Sequence, residues 1–211
     1  MAASIGRAPG SLATLQAFVN TLDIEAGTDA LATPAGLDSW LFEAALTDGR
    51  GRPAGPRDLA MAIELRDALR RVLGSHVAHP GARATRATGA IRATGATRAA
   101  EADIGAGPAP AARVARIAAS MHAGIDADAD GRIVVVASGQ AARAGLTRLL
   151  LIGAEAATAG TWTRLKVCSA DDCQWSFYDR SPTRSGCWCS MQICGSRAKS
   201  RAYRSRAALP G

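Results

Sequence analysis

All five cysteines of this 211-residue chain fall between Cys168 and Cys194. They run Cys168-x4-Cys173, then fifteen residues, then Cys189-x4-Cys194, with Cys187 just before the second pair. Two close pairs separated by ~12–20 residues form the pattern of a treble-clef or ribbon-like zinc site. Each pair supplies two thiolates from one short turn. The intervening chain folds back so that four sulfurs meet tetrahedrally ~2.3 Å from the ion. Cys168, Cys173, Cys189 and Cys194 are therefore the expected ligands, with Cys189 favoured over Cys187 because the two x4 spacings match. Cys187 is left as a spare thiol, a neighbour of the ligands or an oxidation site. Four thiolates leave no position for water or substrate, so a zinc ion held this way is structural.

The competing reading of the cysteines is a disulfide framework. The start, MAASIGRAPGS, lacks the apolar core of a secretory peptide. The most apolar run, LTRLLLIGAEAATAG, is interrupted by Arg148 and Glu155 and is too short to span a bilayer. No membrane segment and a cytoplasmic location are expected, and there clustered cysteines favour metal over disulfides. The charge is just as local. Between Arg164 and Arg206 stand nine basic residues against Asp171, Asp172 and Asp179, which is +6 of the chain's formal +7. A localised basic patch suits a polyanion such as nucleic acid; the competing reading is a solvated basic tail.

Upstream the pattern is helical. Residues 11–22 carry apolar side chains at helical spacing, with Ser11 as a cap. Thr33-Pro34 opens a second helix with Leu37, Trp40, Leu41, Ala44 and Ala45 on one face. Threonine caps, and proline fits a first turn whose N–H groups lack partners. Pro56 opens a third helix striped by Leu59, Ile63, Leu65, Leu69, Val72 and Leu73, with Asp58 placed favourably at its positive end. Residues 80–110, a near-repeat of Arg-Ala-Thr with glycines, read as a mobile linker or loop. A short helix, AARVARIAASM, precedes DADADGRIVVVAS. Asp126, Asp128, Asp130 and Gly131 match the first half of a calcium loop, but Ala137 stands where a bidentate glutamate is needed. The β-branched run IVVV makes a hairpin with an Asp-Gly turn the better reading. A last long helix covers AARAGLTRLLLIGAEAATAG.

The expected fold class is thus mainly α with one small β-hairpin. A helical N-terminal domain, 1–160, is followed by a small treble-clef-like zinc finger, 161–211, with a basic C-terminal helix. Asn20 is expected to bond Arg66 or Arg70 across a helix pair, since a buried amide must find partners. His76 and His79 are expected to face solvent near a helix end. Trp175, Phe177 and Trp188 are expected to form a miniature core shielding the metal, and Asp179 to bond backbone or an arginine in the finger.

After Cys189 the chain reads SMQICGSRAKSRAYRSR. On a helix Arg197, Arg201 and Arg204 share one face, with Lys199 and Arg206 beside them. Arg180 and Arg184 lie in the finger loop. These seven residues are the expected nucleic-acid contacts. A basic helix braced by a metal site can enter a groove or lie across phosphates. Little base-reading chemistry accompanies it beyond arginine, Gln192, Ser196 and Ser200.

At these residues the sequence resembles the CGNR zinc-finger proteins of bacteria. The matching residues are Leu165-Lys166-Val167-Cys168, Cys173-Gln174-Trp175 with Phe177, Asp179-Arg180-Ser181, Trp188-Cys189-Ser190-Met191 and Cys194-Gly195-x-Arg197-Ala198-Lys199. Phe18-Val19-Asn20-Thr21, Leu31-Ala32-Thr33-Pro34 and Trp40-Leu41 are similar to that family's N-terminal ABATE domain. The resemblance implies a DNA-binding, stress-related transcriptional regulator with its four cysteines on zinc. The chain departs from the family pattern in Ser196, where the signature asparagine stands, and in Cys187, where the family tends to be basic.

Three classes of function are left to compare. A zinc-finger regulator would hold DNA with the finger while the helical body dimerises or receives a small-molecule or protein signal. A zinc-stabilised interaction module would dock the same helix on an acidic protein, and a redox variant would release zinc when its thiolates are oxidised. An enzyme is not expected, because no convergent His, Asp or Ser constellation and no GxGxxG, P-loop, HExxH or GxSxG motif appears.

Overall fold

The computed structural model describes residues 6–77, 110–139 and 141–207, the last three by backbone alone. The linker expected over 80–110 lies, but for its last residue, outside the described residues, as does His79. The described elements are α1 (Leu12–Val19), β1 (Leu22–Asp23), β2 (Thr28–Asp29), α2 (Pro34–Glu43), α3 (Pro56–Ser75), α4 (Pro110–Ala119), β3 (His122–Ala127), β4 (Ile133–Ser138), α5 (Ala141–Thr158), β5 (Leu165–Val167), β6 (Ser176–Tyr178) and α6 (Ser196–Ala207). The molecule is mainly helical, with three separate two-stranded antiparallel sheets, β1–β2, β3–β4 and β5–β6.

The helix starts follow local chemistry. Thr33 is extended and its hydroxyl accepts from Gly36 N, with Pro34 in the first turn of α2. At α3 the Asp58 carboxylate accepts from Gly55 N while Asp58 N donates to Gly55 O, which holds the start of the helix behind Pro56. Ser11 does not cap: it already has helical backbone angles and makes no side-chain cap bond, so α1 starts without the predicted device.

One core gathers Leu15, Phe18 and Val19 of α1, Leu37 and Leu41 of α2, Leu65, Leu69 and Leu73 of α3, and Leu146 and Leu149 of α5. Leu165 and Val167 of β5 and Tyr178 of β6 join the same core. The finger's first hairpin is therefore packed into the body rather than hung from it.

Two buried arginines fix the front of the body. Arg66 is 3% exposed and grips Asp29 with both terminal nitrogens, at 2.6 and 3.0 Å, while also donating to Thr21 Oγ1. Arg70, one turn on, donates to the carbonyls of Val19 and Leu22. These bonds pin the β1–β2 turn to α3. Burial alone would push the Asp29 carboxyl up, but the Arg66 guanidinium and the Leu31 N–H hold it below the usual carboxylate range.

Asn20 corrects the expectation drawn from helix pairing. Its Oδ1 accepts from Ser176 N at 2.7 Å and its Nδ2 donates to Ser176 O at 3.0 Å. Gln16 Nε2 donates to the same carbonyl and to Gly6 O, and its Oε1 accepts from Ala8 N. Arg66 and Arg70 were already committed to Asp29 and to backbone carbonyls, so the amide turned to the next free backbone pair, which β6 presents. His76 corrects a second expectation. It faces inward, its Nδ1 2.8 Å from Leu165 O and its ring edge-on to Trp162.

Candidate metal centre and basic helix

The four cysteine sulfurs converge at the end of the finger hairpin. Cys168 follows β5 directly, and its N–H donates to Trp175 O, closing a turn. Cys173 N and Gln174 N both donate to Ala170 O, and Gln174 adopts the left-handed conformation (φ 49°) that lets the chain reverse. The second pair is built differently. Ser190 is extended and its hydroxyl accepts from Ile193 N, starting a wide turn over Met191–Gly195 that runs into α6. Gly195 is close-packed there: a Cβ would stand 2.6 Å from Met191 Sδ and displace that side chain.

The Sγ atoms of Cys168, Cys173, Cys189 and Cys194 lie within 4.8 Å of one another, and three of the four residues are buried. Cys173 and Cys189 are 3.6 Å apart, and Cys189 and Cys194 3.7 Å apart. A tetrahedron with arms of ~2.3 Å has edges of ~3.8 Å, so these spacings are those of thiolates around one ion. Trp175 and Trp188 pack against the sulfur cluster, while Phe177 is buried in β6. Cys187 stands apart, half-buried, with its Sγ donating to Ser185 O. Its own carbonyl accepts from Ser169 N, tying the two cysteine turns together.

The electrostatics of the cluster call for a cation. Hydrogen bonds from Cys173 and Cys189, with N–H groups of Cys189 and Ala170, pull the Cys168 thiol far below its ordinary value. The other three are pushed up, Cys173 and Cys189 chiefly because their protons serve that first thiolate, Cys194 chiefly by burial. One negative sulfur thus suppresses ionisation of its neighbours. Four thiolates can coexist here only around a positive ion.

A second polar group holds the loop between the cysteine pairs. Lys166 is 1% exposed, and its ammonium donates to Asp179 Oδ2 at 2.8 Å and to the carbonyls of Arg184 and Gly186. All three ammonium donors are satisfied. Asp179 in turn accepts from Ser181 N and Gly186 N. Burial works against its charge, but Lys166, Ser181 and Gly186 outweigh it and hold the carboxyl well below the usual range. Gly186 sits so close that a Cβ would lie 2.9 Å from the carboxylate carbon. Sequence reading missed this pair. The available signal was a lysine in the middle of an otherwise apolar strand, Leu165-Lys166-Val167.

The predicted basic residues separate into groups. Arg197, Arg201 and Arg204 line one open cleft of about 450 Å³ with Gln192, Ile193, Ser196 and Ser200. Lys199 is exposed off that cleft, and the side chain of Arg206 lies outside the described residues. Arg197 pairs with Glu25 of the β1–β2 turn at 2.8 Å, and Arg201 with Asp172 of the first cysteine turn at 3.4 Å. Arg180 instead donates to Arg7 O and covers the Tyr178 ring, and Arg184 reaches Thr163. Those two are tied to the body and do not line the cleft. Ser196, at the start of α6, donates to Met191 O and closes the preceding turn.

Comparison with known protein families gives two matches. The ABATE model, described as "Putative stress-induced transcription regulator", matches residues 12–166. The CGNR zinc finger model matches residues 164–207. The two meet in β5, the strand that enters the body core and ends at the first cysteine. None of the curated proteins matches the chain. Among the described residues no helix is long and apolar enough to cross a membrane.

Proposed function

Because the chain belongs to the ABATE family and carries a CGNR zinc finger, we propose that it is a transcriptional regulator whose zinc-braced helix α6 binds DNA. The observation that carries this reading is geometric. The turn that delivers Cys189 and Cys194 to the sulfur cluster runs directly into α6, whose Arg197, Arg201 and Arg204 open on one cleft.

Zinc is the ion the donor set fits, since four thiolates select borderline-soft cations with tetrahedral preference. Cys168, Cys173, Cys189 and Cys194 would hold it, and it would supply cross-linking of the two cysteine turns and charge neutralisation. The chain's own residues do the rest. Lys166 and Asp179 fix the loop between the turns, Asn20 fixes the hairpin on the body, and the arginines face the phosphates. Glu25 and Asp172 hold Arg197 and Arg201 until phosphate oxygens replace their carboxylates. In this reading the protein is not an enzyme. DNA affinity rests on phosphate contacts more than on base edges, so it is steeply salt-dependent.

A second reading draws on the same two ion pairs. A face that already accepts carboxylates can dock on an acidic protein surface. Fluorescence anisotropy with duplex DNA over a range of salt separates the two. The DNA reading expects Arg197→Ala with Arg201→Ala to weaken binding about tenfold or more and to flatten the salt slope by about two. Binding indifferent to that double substitution, or no tighter than that of an unstructured peptide of equal charge, sinks it. Metal analysis of the purified chain should find one zinc.

A further inference from the structure

The β3–β4 hairpin is built inside out. Its register pairs Ala123 with Ala137, Ile125 with Val135 and Ala127 with Ile133. Directly opposed residues share a face of the ladder, so these six side chains form one face, all of them apolar. The other face carries His122, Gly124, Asp126, Val134, Val136 and Ser138. Water-facing strands normally show their polar side. Here Ile125 is 80% exposed, Ile133 75% and Val135 57%, while Gly124, Val134 and Val136 on the other face are half-buried. Two strands alone do not stabilise such an arrangement, and a contiguous apolar face of this kind marks an interaction site.

We propose that this face docks on the same face of a second copy of the chain, across a two-fold axis. An isologous interface must offer a ridge and its matching groove on one surface. This surface offers both. Beside the ridge of Ile133 and Val135 runs a groove of about 730 Å³, whose far wall is Leu151, Ala154 and Thr158 of α5 with Ala159 just beyond it. The ridge of one copy thus meets the α5 groove of the other, and the reverse. No charge lies on the ridge, and Glu155 is the single charged residue of the groove. Nothing on this face therefore selects an acidic or a basic partner. Residues 78–109 of the same chain are a poor cover, since Ile91 and Ile104 are their only large apolar side chains. Ile125, Ile133 and Val135 with the α5 groove make a small contact, so the dimer is reversible and concentration-dependent. None of these residues lines the α6 cleft, so the inference stands apart from the DNA reading.

Sedimentation velocity of the zinc-loaded full chain across about two decades of micromolar concentration tests it. Wild type should rise from its 21.6 kDa monomer mass towards twice that value. Ile125→Glu should remain monomeric throughout, and at concentrations where wild type is also monomeric its melting temperature should be unchanged because the side chain is solvent-exposed. A photo-crosslinker at Val135 should join the hairpin and α5 of an isotopically distinct copy. A monomer at every concentration, a dimer indifferent to Ile125→Glu, or cross-links confined to residues 78–109 of the same chain or to a copurifying protein would each overturn the proposal.

Discussion

Two ion pairs in this molecule have the same nitrogen–oxygen separation, 2.8 Å, and entirely different surroundings. Lys166 and Asp179 are 1% and 5% exposed, whereas Arg197 and Glu25 are 43% and 53% exposed. In the first, every ammonium proton and both carboxylate oxygens have fixed partners, so removing one member strands a buried charge. In the second, water competes for both members, and such pairs are worth ~0–1 kcal/mol. Distance alone does not distinguish a structural bond from an exchangeable one; burial does. The finger uses the rigid pair to shape its loop, and the loose pair sits on the face that the proposed DNA reading assigns to phosphate.

The contrast can be broken or sharpened by substitution. The largest effect is expected from Cys194→Ser, which removes one of four ligands. Structural zinc supplies ~10–16 kcal/mol of binding free energy in small modules. Metal content by mass spectrometry should fall well below one ion per chain, and the ordered α6 should lose amide protection.

Next comes Asp179→Asn, which leaves the Lys166 ammonium buried without its counter-charge. A loss of about 3–5 kcal/mol is expected in chemical denaturation. The difference between wild type and variant should also depend on pH in one direction. The Asp179 carboxyl ionises at lower pH in the folded chain than the ~3.9 of an unfolded one. Its stabilisation is therefore complete above about pH 5 and is lost as pH falls through the folded value. The gap should shrink on acidification from pH 7 to pH 3, and a widening gap would contradict the assignment.

Asn20→Ala tests whether finger and body are one unit. It removes two bonds to the Ser176 backbone, and about 1–3 kcal/mol should be lost. Hydrogen exchange should show β5–β6 opening separately from α1–α5 in the variant. The smallest effect is expected from Glu25→Gln. Stability should stay within about 0.5 kcal/mol, while affinity for duplex DNA should rise by up to about fivefold, because Arg197 no longer leaves a carboxylate to reach a phosphate. An unchanged affinity would show that the exposed pair does not compete.

Much of the molecule was readable along the chain. The x4 spacings marked the sulfur cluster, and the Thr33-Pro34 and Pro56-to-Asp58 signals marked two helix starts. The Asp-Gly turn marked the β3–β4 hairpin, where Asp128 accepts from its own loop N–H groups at Asp130 and Arg132. Arg197, Arg201 and Arg204 were placed on a common face by helical spacing alone. Other features were not readable. Asn20 and Ser176 are 156 residues apart, and Arg197 and Glu25 172 apart. No local pattern specifies which free amide or carboxylate meets which partner once helices pack.

The sequence by itself determined the helices, the β3–β4 hairpin, the paired cysteine turns and the arginine face, because each depends on residues within a turn or two and on fixed backbone periods, whereas the two short sheets β1–β2 and β5–β6 were not legible. The tertiary structure alone decided that β5 and β6 enter the body core, that Lys166 and Asp179 become a buried pair, and that the apolar side of β3–β4 faces outward. Those outcomes depend on which surfaces close on one another. Long-range packing chooses among faces and partners that are equivalent as far as the local chain is concerned.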